Sequence, residues 1–139
     1  MSPLASQLVG KEILVETNVA ELEAGGSVDA MLESSSAASN VKIFVEDQSG
    51  SLVRTLDLGN IGSGTSRFSW DGLDSEGAPA VAGAYTLRTE GLVGGSLQGL
   101  TTQIFSRVQS VAVDRSNTSV SLELDGNRSI GISQVREFK

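Results

Sequence analysis

Apolar residues along the chain recur at every second position. Val41, Ile43 and Val45 do so, as do Phe68 and Trp70, Tyr85 and Leu87, and Val120, Leu122 and Leu124. A period of two puts each set on one face of a strand. No window carries a convincing helical period. Val19 to Ala24 is helix-friendly, but it is short and stops at Gly25-Gly26, which predicts a turn or a strand end. Turn signals separate the strands. Asp47-Gln48-Ser49-Gly50 divides two of them, and Asp125-Gly126-Asn127 divides Leu124 from Ile130. Asp-Gly suits a hairpin because both residues tolerate positive φ. Ser34 to Asn40 is a polar run predicted to be a loop between strands. Sixteen Gly and only two Pro fit many tight turns. Short strands with no helices between them predict an all-β sandwich or barrel.

A near-repeat bears on domain organisation. Gly25-Gly26-Ser27-Val28 and Gly94-Gly95-Ser96-Leu97 share a pattern, with apolar alternation on both sides. One reading is a domain inserted within another, with boundaries at 1–26, 27–94 and 95–139, so that Gly25, Gly26, Gly94 and Gly95 are interdomain hinges. The other reading makes both pairs ordinary turns of one sandwich. The pattern alone leaves both open.

Composition narrows the chemistry. The chain has 139 residues, no Cys and no His. Without Cys there are no disulfides, thiolate nucleophiles or Cys-based metal sites. Without His the commonest general base is missing, and a Ser-His-Asp triad cannot be built. A formal charge of −7 with no basic stripe argues against nucleic acid and anionic membranes. No stretch approaches the roughly 20 apolar residues of a spanning helix. Met1 to Leu8 lacks the basic start and apolar run of a secretory signal.

The densest cluster is Trp70-Asp71-Gly72-Leu73-Asp74-Ser75-Glu76-Gly77, followed by Gly83-Ala84-Tyr85. Three carboxylates within it invite a calcium reading. Calcium needs six to eight oxygens, and Leu73 falls where an EF-hand loop would place a ligand. An Asx-type turn fits better, with Asp71 and Asp74 accepting backbone N–H groups ahead of Gly72 and Gly77. Trp70 and Tyr85 could form a sugar platform, but each is in register with an apolar neighbour, which points them into a core. No carboxylate pair is gathered with aromatics as a sugar-cleaving groove requires. Gly10-Lys11 lacks the spacing of a phosphate loop. Arg107, Arg115, Arg128 and Arg136 are spread out and read as solvated residues. The residues indicate no catalytic, metal or cofactor site, and no enzyme.

The segment Gly50-Ser51-Leu52-Val53-Arg54-Thr55-Leu56-Asp57-Leu58-Gly59, then Phe68 to Gly77, then Gly83-Ala84-Tyr85, resembles the immunoglobulin-like module of the bacterial flagellar hook-capping family. Similar WDG modules occur in other bacterial surface proteins. The opening Ala5-Ser6-Gln7-Leu8-Val9-Gly10-Lys11 is similar to the segment that precedes the module in the hook-capping family, so the similarity runs from about Ser6 to Phe138. The resemblance implies a fibronectin type III-like sandwich inserted into a Tudor-like, SH3-like barrel, which selects the insertion reading. Trp70, Asp71, Gly72, Asp74, Gly77, Gly83 and Tyr85 become structural motif residues. It further implies a non-catalytic scaffold without cofactors, exported by the flagellar type III apparatus to the tip of the nascent hook. Its implied partners are hook protein subunits and, in the full-length protein, further copies of itself, with no nucleic acid and no membrane insertion. The family carries a further N-terminal region, so Met1-Ser2-Pro3 reads as the start of a fragment. The rival reading is a carbohydrate- or protein-binding adhesive module.

Overall fold

The computed structural model describes residues 9–114, 119–124, 128–131 and 135–138. The opening segment up to Leu8, Arg115 and the Asp125–Asn127 turn lie outside the described residues, as do the side chains of Val120, Arg128 and Arg136. Every regular element among the described residues is a strand. The chain divides into two compact units, Thr17–Ile104 and Met1–Glu16 with Phe105–Lys139.

The unit Thr17–Ile104 is a sandwich of two antiparallel sheets. One sheet has the order β2 (Val19–Leu22), β7 (Gly83–Val93), β4 (Ala38–Glu46) and β5 (Leu52–Ile61). Val19–Leu22 reads as a strand, as one of the two sequence expectations had it. The short β8 (Ser96–Gly99) pairs with the end of β7, and β2 pairs with its start. The other sheet joins β6 (Gly64–Trp70) to β3 (Val28–Ser34), and β3 to the first residues of β9 (Thr101–Asp114).

The alternation seen in the sequence is the inward face. Val28, Ala30 and Leu32 of β3 meet Val41, Ile43 and Val45 of β4, Tyr85 and Leu87 of β7, and Phe68 and Trp70 of β6 in one apolar core. Burying a side chain of the Val, Leu or Phe class contributes about 1.5–3 kcal/mol. Polar residues that reach the interior are matched. Thr89 and Thr102 share a hydroxyl hydrogen bond of 3.2 Å, and the Ser34 hydroxyl donates to the Ser36 carbonyl at 2.6 Å.

The polar run Ser34 to Asn40 is mostly strand, not loop. β3 continues through Ser34 and β4 begins at Ala38, leaving Ser35–Ala37 between them. The cause is a β-bulge. Ala38 pairs with Ile61 and Val41 with Gly59, so β4 spends one extra residue. Against β7 the same slip separates Ser39↔Leu92 from Lys42↔Glu90. Asn40 takes the extra position at φ +50°, a region Asn tolerates. The bulge flips the alternation, so Ala38 and Val41 both face the core despite their odd spacing.

Gly25 and Gly26 form the turn from β2 to β3, and Gly94 and Gly95 the turn from β7 to β8; both pairs lie inside Thr17–Ile104. The units divide instead at Glu16–Thr17 and Ile104–Phe105. Gly94 and Gly95 have φ +59° and +83°, with Val93 paired to Ser96. Two successive positive φ values are what a type I′ hairpin requires.

In the other unit, β11 (Arg128–Gly131), β10 (Ser119–Leu124), the rest of β9, β1 (Glu12–Glu16) and β12 (Val135–Phe138) lie side by side in that order. Ile13, Val15, Val108, Leu122 and Leu124 form its core. The path is open among the described residues, with β11 and β12 at its ends.

Gly94 is constrained by φ alone, since a Cβ there would meet nothing within 4 Å. Gly94→Asn creates an Asn-Gly hairpin turn and should leave urea stability nearly unchanged. Gly94→Val should lose about 1–2 kcal/mol, measured by the same titration.

Candidate functional site

The recognisable motif forms one end of the sandwich. Trp70, the last residue of β6, is fully buried, and its indole meets the Tyr85 ring edge-on, with centroids 5.1 Å apart and planes at 67°. A buried indole N–H needs an acceptor. The Leu73 carbonyl supplies it at 2.9 Å, three residues on. The chain must therefore reverse at once, and Asp71-Gly72 does this. Asp71 Oδ1 accepts the Leu73 N–H at 3.0 Å. Arg54 of β5 donates both to Asp71 Oδ1 and to the Leu73 carbonyl, each at 3.0 Å. Gly72 sits at φ +79°, and a Cβ built on it would lie 2.3 Å from the Gly26 carbonyl oxygen. Only glycine fits there. Gly26 thus has a role in the site, as the backbone surface on which the motif loop rests.

The loop closes on itself beyond that point. Asp74 Oδ1 accepts N–H groups from Glu76 at 2.9 Å and Ala78 at 3.0 Å. The Asp74 carbonyl accepts the Gly77 N–H at 3.0 Å, and Gly77 takes φ +83°. Leu73 and Pro79 form an isolated bridge, the Ala80 N–H donates to the Gly72 carbonyl at 2.8 Å, and the Ser75 N–H donates to the Val53 carbonyl at 3.0 Å. Asp71 and Asp74 each shape a turn, as an Asx reading requires. No cluster of three or more acidic, His or Cys side chains suited to a metal occurs among the described residues.

Gly83, at φ +149°, opens β7, and Tyr85 follows. The Tyr85 hydroxyl donates to the Val81 carbonyl four residues upstream. Burial raises the phenol above its ordinary pKa, and the Asp47 charge adds to the shift. Asp47 closes the β4–β5 turn as its side chain accepts the Ser49 N–H, the Ser51 N–H and the Ser49 hydroxyl on Oδ1. These bonds, the Ser49 hydroxyl foremost, hold the Asp47 carboxyl below the ordinary carboxylate value. Of the scattered arginines, Arg107 is exposed and donates to the Gly10 carbonyl at 2.7 Å.

Sequence reasoning missed three features. One is Arg88, which stacks on Phe44 at 4.6 Å and pairs with Glu46 and Glu90; the alternation of β4 and β7 held that signal. Another is Val81, which is 80% exposed. The third is the Gly26 carbonyl under Gly72, which no local pattern announces.

A buried Trp in a two-sheet sandwich, and a Tyr at a strand start whose hydroxyl reaches back to upstream backbone, define an immunoglobulin-like β-sandwich module. The FlgD Ig-like domain family matches residues 17–94, beginning where the sandwich unit begins, and the chain belongs to that family. It is 27% identical over 141 residues to the basal-body rod modification protein FlgD of Escherichia coli, with 96% of this chain covered. It spans 60% of that relative's length and 43% of the Salmonella typhimurium one. FlgD from Xanthomonas campestris, described for hook capping essential to flagellar assembly, is similar in structure with a TM-score of 0.87. It is 26% identical, with 98% of this chain and 97% of that one covered. FlgD from P. aeruginosa gives a TM-score of 0.84 at 30% identity, with 95% and 98% covered.

Gly72→Ala must adopt a left-handed backbone and displace the Gly26 carbonyl, and should lose about 3 kcal/mol in urea. Gly77→Ala has open space beside it and should lose about 1 kcal/mol. Tyr85 is the only tyrosine, so absorbance at 295 nm reads it alone. Its midpoint should lie above the ordinary value of about 10. A folded pKa above the unfolded one stabilises below the unfolded value and is lost as pH rises through the folded one. Stability should therefore fall in alkali above about pH 10, and Tyr85→Phe should remove this alkaline dependence.

Proposed function

We propose that this chain is a non-catalytic scaffold segment of a flagellar hook cap. It acts at the distal tip of the nascent hook and promotes addition of exported hook subunits. Its partners are hook protein subunits and, in the full-length protein, further copies of itself. It reaches the tip through the flagellar type III apparatus and neither inserts into membrane nor binds nucleic acid. The observation that carries this reading is the near end-to-end structural match with the Xanthomonas campestris hook-capping protein.

The glycan-binding alternative asked Trp70 to serve as an exposed platform. With Trp70 fully buried, sugars have no access to its ring.

The test is genetic. Codons for residues 4–138 are removed from the chromosomal gene with all other codons kept, and basal structures are imaged by electron microscopy. Rods without hooks, with hook subunits lost to the medium, are expected. Hooks of normal length would overturn the reading.

A further inference from the structure

The sandwich is electrically polar from end to end. Thr17–Ile104 holds eleven Asp and Glu against four Lys and Arg, a formal charge of −7, while the remaining residues hold six of each. The sandwich thus carries the whole net charge of the chain. Within it, the three loops at the motif end are Glu23–Ser27, Asp47–Ser51 and Asp71–Ala82. They contain Glu23, Asp47, Asp71, Asp74 and Glu76, and no Lys or Arg. The loops at the opposite end, Ser35–Ala37, Gly62–Ser63 and Gly94–Gly95, contain no charge.

The motif end is also concave. A hollow of about 440 Å³ is lined by Asp47, Val53, Asp74, Ala80, Val81 and Tyr85, among others. That volume is within the usual range for binding clefts. Much of its lining is apolar, and the exposed Val81 stands on it. Leu52, at 58% exposure, lies at the same end of β5. Among the described residues, the only charged groups on the lining are the two carboxylates. Both are fixed in place, because Oδ1 of Asp47 holds three donors and Oδ1 of Asp74 holds two. Among the described residues, neither Oδ2 carries a hydrogen bond. An acceptor already fixed in position loses little freedom on binding.

We propose that this hollow docks a basic segment of a partner protein, with an apolar side chain set against Val81 and Tyr85 and Lys or Arg side chains meeting Asp47 and Asp74. Charge complementarity selects a cationic partner, because no cation among the described residues lines the hollow to receive an acidic one. The exposed valine selects a peptide with an apolar residue over a bare polyamine or inorganic cation.

The test uses the whole chain, labelled with nitrogen-15, and three blocked tripeptides: Lys-Leu-Lys, Lys-Ser-Lys and Glu-Leu-Glu. Lys-Leu-Lys should shift the amide signals of residues 47–51 and 81–85 and bind more tightly than Lys-Ser-Lys. Glu-Leu-Glu should not shift them. Asp47→Asn with Asp74→Asn keeps each Oδ1 acceptor and removes both charges, so the turns should persist. That double variant should bind Lys-Leu-Lys about tenfold more weakly. Should it fail to fold, the native chain serves instead: raising NaCl from about 20 to about 200 mM should weaken binding. Equal binding of Lys-Leu-Lys and Lys-Ser-Lys, shifts spread over the whole acidic surface, unchanged affinity in the folded double variant, or no shifts at all would each overturn the proposal.

Discussion

A buried indole brings one hydrogen-bond donor to a place water does not reach. In this chain that donor belongs to Trp70, and much of the sandwich's motif end follows from it. The Leu73 carbonyl must come back to the ring within three residues, so the backbone has to turn sharply at Asp71-Gly72. The turn brings Gly72 so close to Gly26 that a single methyl group would collide with its carbonyl. The β2–β3 turn, the β6–β7 loop and the β5 arginine are therefore tied to one position. Leaving the indole unmatched would cost about 1–3 kcal/mol. The Arg54 bridge to Asp71 is partly exposed and contributes at most about 1 kcal/mol in water. Its larger effect is geometric, since the same guanidinium also fixes the Leu73 carbonyl that the indole needs.

What could be read in advance was whatever the chain encodes locally. Period two in Val41, Ile43 and Val45, or in Phe68 and Trp70, reports a buried face, because inward and outward positions alternate on any pleated strand. The Asp47 turn was legible for a similar reason, as an Asx residue two before a Ser and three before a Gly makes its own hydrogen bonds. The bulge at Asn40 was not legible. A bulge is defined by the partners, and here Leu92 and Ile61 both lie far along the chain. The Ser-rich run looked like a loop because the extra residue breaks the alternation where the strand begins.

The Gly-Gly pairs show the same limit. Glycine reports that a backbone takes unusual φ, and it did so at Gly25, Gly94 and Gly95. It does not report whether that φ serves a hairpin or a junction between units. The two compact units divide about ten residues outside these pairs, in stretches with no glycine at all. The candidate site was legible as a turn-forming motif. Its surface was not, because the exposure of Val81 and the hollow beside it depend on how three separate loops meet.

The acidic end and the rigid loop are one feature with two consequences. Each motif carboxylate uses one oxygen to shape a turn, and that use fixes where its charge stands. In a flexible loop the same charge would spread over many positions and favour cations in general. Held by two or three backbone and hydroxyl donors, it favours a cation at one place, beside an apolar surface that is also fixed. Residues that read as purely structural in sequence can in this way set specificity, because the fold orders them before any partner arrives. The opposite end of the sandwich has turns of comparable tightness and no charge, so tight turns alone do not create such a surface. Turns built from Asp do.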